Sequence, residues 1–180
     1  MVIYIALLRG INVSGHNMIK MDELKRVLEE LGFTGIRTYI QSGNIIFGSE
    51  VDDPADLAAR VAGKILTRFG FVVPVVIRTI DEMKLVSLNN PFILNGNGNS
   101  DRMHVTFLSE TPDRTKETKI LEYNFPPDEF VIKGKEVYLY CPDGYGNTKL
   151  NNQFFESKLK VTTTTRNWKT VETLVALGSG

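Results

Sequence analysis

The sequence predicts an α+β protein made of two fused subdomains. The first half alternates short apolar strands with two amphipathic helices, and the second half repeats much of that order. A polar segment rich in glycine and asparagine, 95–100, separates the halves. The chain has 180 residues, of which 42% are hydrophobic, enough to bury a core without disulfides or metals. We therefore place the first subdomain at 1–94, a linker at 95–100 and the second subdomain at 101–177.

The first subdomain begins with a strand. Residues 2–8 are continuously apolar and rich in β-branched side chains, as in a central strand that is buried on both faces. A polar loop follows. Apolar residues then recur at helical spacing from Met21 to Leu31, and Gly32 is a typical helix stop. This part of the sequence predicts a strand, a loop and a helix.

A hairpin, a second helix and a fourth strand complete the first subdomain. Two short strands meet at the turn Ser42-Gly43, and Pro54 opens a helix with a clear apolar stripe. Residues 71–78 form the last strand, in which Pro74 indicates an edge position or a bulge. The predicted order is β-α-β-β-α-β, which is the ferredoxin-like arrangement.

The second subdomain is predicted to be a related unit with the order β-α-β-β-α-α. Its elements are a strand at 102–108, a helix at 112–123 and a hairpin that turns at Gly134. A short helix from Leu150 and a final helix at 166–177 close the chain. This unit therefore lacks the last strand of the first.

Composition excludes several classes of protein. A single cysteine excludes a disulfide framework and fits a reducing compartment, so we expect a cytoplasmic protein. The 21 basic and 21 acidic side chains cancel, which disfavours binding to nucleic acid. The sequence contains no apolar stretch long enough for a membrane helix, so we expect no membrane association. It also lacks the spacings of zinc sites and nucleotide-binding loops, and we expect no metal and no cofactor.

The usual catalytic constellations are missing as well. Cys141 ends a strand without a nearby basic group, and it is interpreted as a structural thiol. His16 and His104, the two histidines, are interpreted as surface or hydrogen-bonded side chains. Catalytic residues therefore stay unassigned, and the sequence leaves open whether the protein is an enzyme.

The loop after the first strand is richer in polar groups than a simple turn requires. Arg9, Asn12 and Asn17 lie among glycines that allow backbone N–H groups to face a ligand. The alternative is a tight turn in which the asparagines cap the backbone. Both interpretations stay open.

A second polar segment spans residues 143–150. Its glycines, followed by Thr148 and Lys149 at a helix start, can present amides and an ammonium group to an anion. A plain connection between a strand and a helix explains the same residues.

The third polar segment spans residues 162–168. Four threonines precede Arg166 and Asn167 at the predicted start of the last helix, more capping residues than one helix can use. An arginine at the positive end of a helix dipole indicates a nearby negative group. That group is either a carboxylate of the protein or a phosphate of a ligand.

Three motifs resemble those of a bacterial family known as domain of unknown function 1697. They are Leu7 to Val13, Tyr39 to Asn44 and Thr164 to Trp168, and the resemblance extends from Met1 to Leu177. It implies a small cytoplasmic bacterial protein of two α+β subdomains, and it implies no activity. The family's recurrent residues that occur here are Arg9, Gly10, Asn12, Gly15, Asn17, Ser42, Gly43, Asn44, Lys149, Arg166 and Asn167.

These observations support two hypotheses of function. The first is a binding protein for a phosphorylated small molecule or nucleotide, and at least two of its site segments should meet in one concave pocket. The second is a protein–protein interaction module that uses a sheet edge or face; the sequence does not define an oligomeric state. The candidate ligand-binding residues are Arg9, Asn12, Asn17, Ser42, Asn44, Lys149, Arg166 and Asn167.

Overall fold

The computed structural model of the protein describes residues 1–96 and 98–180. Strands and helices alternate in an order that occurs twice along the chain. The strands are β1 Val2–Leu8, β2 Thr34–Tyr39, β3 Asn44–Ser49, β4 Val75–Thr79, β5 Met103–Leu108, β6 Glu129–Lys133, β7 Glu136–Tyr140 and β8 Thr163–Asn167. The α-helices are α1 Met21–Glu29, α2 Pro54–Phe69, α3 Ile80–Leu88, α4 Pro91–Leu94, α5 Arg114–Ile120, α6 Asn152–Leu159 and α7 Trp168–Ser179.

The first unit is a four-stranded antiparallel sheet with the strand order β2-β3-β1-β4. Strand β1 is central, as predicted, and its residues Tyr4 to Leu8 are fully buried. Strand β4 lies at the edge and begins directly after Pro74, which has no N–H to donate to a neighbouring strand. The ferredoxin-like arrangement of this unit is confirmed.

Two amphipathic helices cover one face of this sheet. Leu24 and Leu28 of α1 and Leu57 and Val61 of α2 are buried in one apolar cluster with alternate residues of β1. Helix α2 begins where Asp53 accepts hydrogen bonds from the first-turn N–H groups, a strong N-cap. These local signals explain why both helices could be predicted from the sequence.

The second unit repeats this topology with the strand order β6-β7-β5-β8. Its core lies between this sheet and helices α5 and α6, and Leu139, Phe155 and Leu159 are fully buried there. Phe130 of β6 packs edge-to-face on Phe155, with ring centres 5.8 Å apart. The predicted fold class, two fused α+β units, is confirmed.

One element of the second unit differs from the prediction. Residues 163–167, expected to lie before and within the last helix, form strand β8, so the order is not β-α-β-β-α-α. Helix α7 begins at Trp168. Threonine has a high strand propensity, and β8 pairs with β5 from Leu108–Thr163 to His104–Asn167. The second unit therefore also has a fourth strand.

The structure divides into two compact units, 1–84 with 174–180 and 85–173. The boundaries predicted from the sequence, 1–94 and 101–177, stay a prediction. The expected linker at 95–100 includes residue 97, which lies outside the described residues. Asn99, within that segment, caps a short 3₁₀ helix over Ser100–Arg102 by accepting a hydrogen bond from the N–H of Asp101.

Candidate functional site

The loop after β1 uses residue types that suit its backbone. Asn12, Ser14 and Asn17 all have positive φ angles, of 53°, 50° and 49°. Asparagine adopts this left-handed conformation more readily than most other residues, because its short side chain hydrogen-bonds locally. Asn12 and Asn17, which the sequence indicated as candidate site residues, are therefore explained first by the backbone conformation of the loop.

Asn12 holds this loop against the β2–β3 hairpin. Its Nδ2 donates to the carbonyl oxygens of Ile19, at 3.0 Å, and Gln41, at 2.9 Å. Its Oδ1 accepts from the N–H of Ile19 at 2.8 Å. Asn17 closes the loop from its other side, because its Nδ2 donates to the carbonyl of Gly10. The amide of Asn12 thus joins two predicted site segments.

The hairpin is tied in the same way. Asn44 is fully buried, and its Nδ2 donates to the carbonyl of Tyr39 and to Oγ of Ser42, both at 3.0 Å. The N–H of Leu8 donates to the carbonyl of Gly43 at 2.8 Å. The side chains of Ser42 and Asn44 therefore shape the turn, and the turn lies directly against the end of β1.

A cleft of about 320 Å³ opens where the loop and the hairpin meet. We call it the Asn12 cleft. Its walls are formed by Asn12, Met18, Ile19, Lys20, Met21, Glu23 and Gln41. The loop after β1 and the β2–β3 hairpin thus meet in the first unit at one surface cleft, with Asn12 and Gln41 in its walls.

The cleft opens on the N-terminus of α1. Lys20 is the N-cap residue of this helix, and its side chain makes no capping hydrogen bond. First-turn N–H groups that lack a side-chain cap give a helix N-terminus its affinity for anions. Glu23, in the same turn, forms an ion pair with Arg68 at 2.8 Å. The cleft therefore combines an ammonium group, helix N–H groups and a carboxylate that is already paired.

One feature beside this cleft could not be predicted from the sequence. Ile40 has a φ angle of 50° and is 51% exposed, although a β-branched side chain disfavours this conformation. It lies between β2 and Gln41, so the hairpin forces its backbone angle. Such strain is concentrated at binding sites more often than elsewhere.

Arg9 is half-buried at the end of β1, and its N–H donates to the carbonyl of Pro74 at 3.0 Å. This bond extends the pairing of β1 with β4 by one residue. Arg9 thus begins the polar loop at the same end of the sheet as the Asn12 cleft. Its role as a ligand-binding cation stays a prediction.

Arg166 lies in β8 rather than at a helix start, opposite Val105 of β5. Its guanidinium donates to Oγ1 of Thr164 and to the carbonyl of Thr165, both at 2.9 Å. Only 9% of the residue is exposed, and burial lowers its pKa to about 10. Asn167 caps α7, because its Oδ1 accepts from the N–H of Thr170 at 2.8 Å.

The first unit has a matching arginine, which sequence reasoning missed. Arg78 in β4 lies opposite Ile5 of β1, in the same way that Arg166 in β8 lies opposite Val105 of β5. Arg78 is only 1% exposed. Each guanidinium donates to the carbonyl of the residue before it, Ile77 in the case of Arg78. A buried arginine at the same place in both units favours a structural role.

Lys149 lies at another cleft of the second unit, of about 330 Å³. Its ammonium group is 5.7 Å from the ring centre of Phe125. Asp128 and Asp143 also line this cleft, and Oγ1 of Thr148 donates to Oδ2 of Asp128 at 2.6 Å. Two carboxylates beside one lysine oppose the binding of an anion in this cleft, and the ligand-binding role of Lys149 stays a prediction.

Cys141 is fully buried, and burial raises the pKa of its thiol to about 11. This shift disfavours the thiolate, which is the form in which a cysteine acts as a nucleophile. Among residues 1–96 and 98–180, no three histidine, cysteine, aspartate or glutamate side chains are grouped as metal ligands. No helix in the same ranges is long and apolar enough to cross a membrane.

The environment of His104 predicts that the stability of the protein depends on pH. Its ring stacks on Tyr145, with ring centres 4.7 Å apart, and burial lowers its pKa. Below about pH 6.5 the His104 ring of the unfolded chain then binds a proton more readily than the same ring in the folded protein. The free energy of unfolding therefore decreases as the pH is lowered. Urea titrations between about pH 7 and pH 5 should show this loss, at most about 1.4 kcal/mol per pH unit.

The variant His104→Gln isolates this effect. It should flatten the pH dependence relative to the wild type, whereas His16→Gln, at an exposed loop position, should leave it unchanged. An identical pH dependence for wild type and His104→Gln would show that burial of this ring does not control the acid response.

Comparisons with known proteins bear on this arrangement. The family model described as "Protein of unknown function (DUF1697)" matches residues 1–138. This range contains the Asn12 cleft, whereas Lys149, Arg166 and Asn167 lie beyond it. No curated protein matches the chain.

A solved structure agrees with the fold. The conserved bacterial protein SP0830 from Streptococcus pneumoniae is similar over 98% of each chain, with 23% sequence identity and a TM-score of 0.78. At this identity the likeness concerns the fold alone. The family match confirms the resemblance over residues 1–138, a range that contains two of the three motifs, and the chain belongs to the family described as Protein of unknown function (DUF1697).

Proposed function

We propose that the protein binds a small molecule that carries a phosphate, such as a nucleotide or a sugar phosphate, in the Asn12 cleft. The observation that carries the proposal is the junction made by Asn12, which holds the loop and the hairpin together beside the uncapped start of α1. Neither segment forms this cleft alone.

The anion would lie against the first turn of α1. Partial positive charge at a helix N-terminus favours an anion by about 0.3–1 kcal/mol at an exposed site, and Lys20 adds a full charge. Two carboxylates of this turn, Asp22 and Glu23, oppose the anion, and the ion pair with Arg68 reduces the opposing charge of Glu23. Met18, which is 60% exposed, offers an adaptable apolar surface to the rest of the ligand.

The predicted site residues then divide into three sets. Asn12, Asn17, Ser42 and Asn44 position the loop and the hairpin, because their side chains bond to each other or to backbone groups. Arg9 is proposed as a further cation at this end of the sheet. The second-unit candidates Lys149, Arg166 and Asn167 stay a separate prediction.

We further propose that this binding takes place in the bacterial cytoplasm. The family resemblance implies that setting, and a single buried thiol fits a reducing compartment.

A thermal-shift panel of nucleotides and sugar phosphates, each beside its dephosphorylated form, tests the proposal. A ligand at about 100 times its dissociation constant stabilises a protein by about 2.7 kcal/mol. The phosphorylated member of at least one pair should raise the melting temperature, and its partner should raise it less. Equal shifts within every pair, or no shift at all, would exclude a phosphate site.

Lys20→Gln should weaken binding of the best phosphorylated ligand by about tenfold to a hundredfold, since one charge-assisted contact is worth about 1.5–3 kcal/mol. Isothermal titration calorimetry measures this loss. Lys25→Gln is the matched control, because Lys25 is an exposed lysine of the same helix outside the cleft wall. Equal weakening by both variants would indicate general charge attraction and not a site.

The alternative function, a module that binds another protein through a sheet edge, requires an edge with outward-facing backbone groups. Strand β6 is such an edge. This observation keeps the alternative open beside ligand binding.

A further inference from the structure

The backbone hydrogen bonds around β7 determine which groups of β6 face outward. The N–H of Cys141 donates to the carbonyl of Arg102, and the N–H of Leu108 donates to the carbonyl of Lys135. Odd-numbered residues along β7 therefore point to β5. Because both backbone groups of a strand residue point to the same side, the even-numbered residues of β7 point to β6.

The same alternation continues into β6. Val131 lies opposite Tyr138, so the odd-numbered residues of β6 point to β7. Phe130 and Ile132 direct their N–H and C=O groups away from the sheet. Within the part of the chain that the structure describes, no strand pairs with this side of β6. Two residues thus present a short ladder of four hydrogen-bonding groups.

We propose that a second copy of this chain pairs with this edge, antiparallel and centred on Val131. In that register Phe130 lies opposite the partner's Ile132, and Ile132 opposite the partner's Phe130. Both residues have outward-facing backbone groups, which matches the narrow hydrogen-bonded pairs of an antiparallel ladder. The association joins two four-stranded sheets into one of eight strands.

Charge complementarity identifies the second copy as the occupant. Strand β6 carries Glu129 at one end and Lys133 at the other, both exposed, with three apolar residues between them. A two-fold axis at Val131 places Glu129 opposite the partner's Lys133, and the reverse at the other end. Opposite charges directly across an antiparallel pair are favourable, whereas like charges are unfavourable.

The surroundings of β6 also favour association. Its three central side chains are only half-buried. Leu88 is 69% exposed, and it precedes Asn89, whose carbonyl oxygen accepts a hydrogen bond from Nζ of Lys133 at 3.0 Å. The formal net charge of zero means that two copies do not repel each other at long range. This inference does not depend on the Asn12 cleft.

Sedimentation velocity on the full chain tests the proposal. A five-residue edge buries less surface than the interfaces of stable complexes do. We therefore expect a reversible dimer that forms at protein concentrations of about 10–500 µM. Glu129→Lys alone and Lys133→Glu alone each place like charges opposite each other at both ends of β6. Each variant should raise the dimer dissociation constant about tenfold or more.

Mixing the two variants gives the decisive result. A heterodimer of Glu129→Lys with Lys133→Glu has opposite charges at both ends, so the mixture should recover the wild-type dissociation constant to within about threefold. Glu122→Lys and Lys119→Glu, exposed charge reversals outside β6, are the controls and should leave association unchanged. Unaltered melting temperatures would verify that the variants fold.

Two results overturn the proposal. One is a wild-type protein that stays monomeric at about 500 µM, in which case the charges at the ends of β6 protect the edge against pairing. The other is a dimer that the charge reversals leave intact or that mixing does not restore, because its interface then lies elsewhere.

Discussion

Replacing Gly43 with alanine is expected to lower the free energy of unfolding by about 3 kcal/mol. A Cβ atom at this position would lie 2.6 Å from Cβ of Leu8 and 3.0 Å from Cδ1 of Ile11. Both neighbours are buried and cannot move aside easily. The φ angle of 84° adds a second penalty for any residue with a side chain. Urea denaturation of the wild type and the variant measures the difference.

Gly10→Ala separates the two contributions. Gly10 has a similar φ angle, 75°, but a Cβ atom there meets nothing within 4 Å. This control should therefore lose only about 1 kcal/mol, which is the backbone penalty alone. Equal losses for both variants would mean that the hairpin shifts away from β1 at little cost, and that the close packing does not stabilise the junction.

Replacing Asn12 with alanine is expected to lower the free energy of unfolding by about 3 kcal/mol and to abolish ligand binding in the Asn12 cleft. The substitution removes three hydrogen bonds, two of them to Ile19 and one to Gln41. Alanine also tolerates the φ angle of 53° less well than asparagine does. Urea denaturation measures the stability, and calorimetry with the best phosphorylated ligand measures binding.

Asn17→Ala is the matched control for this variant. Asn17 has nearly the same φ angle, but its side chain makes one hydrogen bond, to Gly10 within the same loop. The control should lose about 1.5 kcal/mol and should keep most of the ligand affinity. If both variants lost stability and binding equally, the link from Asn12 to the hairpin would have no special role.

Much of the first unit could be predicted from the sequence because its signals are local. The continuous apolar run at 2–8 indicates a strand buried on both faces, and Pro74 indicates an edge, since it cannot donate to a neighbouring strand. The helix α2 has a proline near its start and a regular apolar stripe. Each signal depends on residues close in sequence.

Strand β8 lacked such a signal. Its residues Thr163 to Asn167 are all polar, and their hydroxyl groups suggested helix capping as readily as a strand. In the structure, Oγ1 of Thr165 is 2.7 Å from Oγ1 of Thr106 in β5, and Oγ1 of Thr163 and of Thr165 donate to Oδ1 of Asn152. These partners are distant in sequence, so only the folded sheet determined that this segment is a strand.

In the candidate site, too, some features follow from the sequence and others only from the tertiary structure. The sequence by itself determined the residue types of the loop and the turn, because positive φ angles favour glycine and asparagine wherever they occur. Only the tertiary structure decided what those residues do. Asn12 hydrogen-bonds to Gln41, 29 positions away, and Arg166 is buried in a strand. Backbone preferences belong to single residues and their neighbours, whereas hydrogen-bond partners are set by which strands pair.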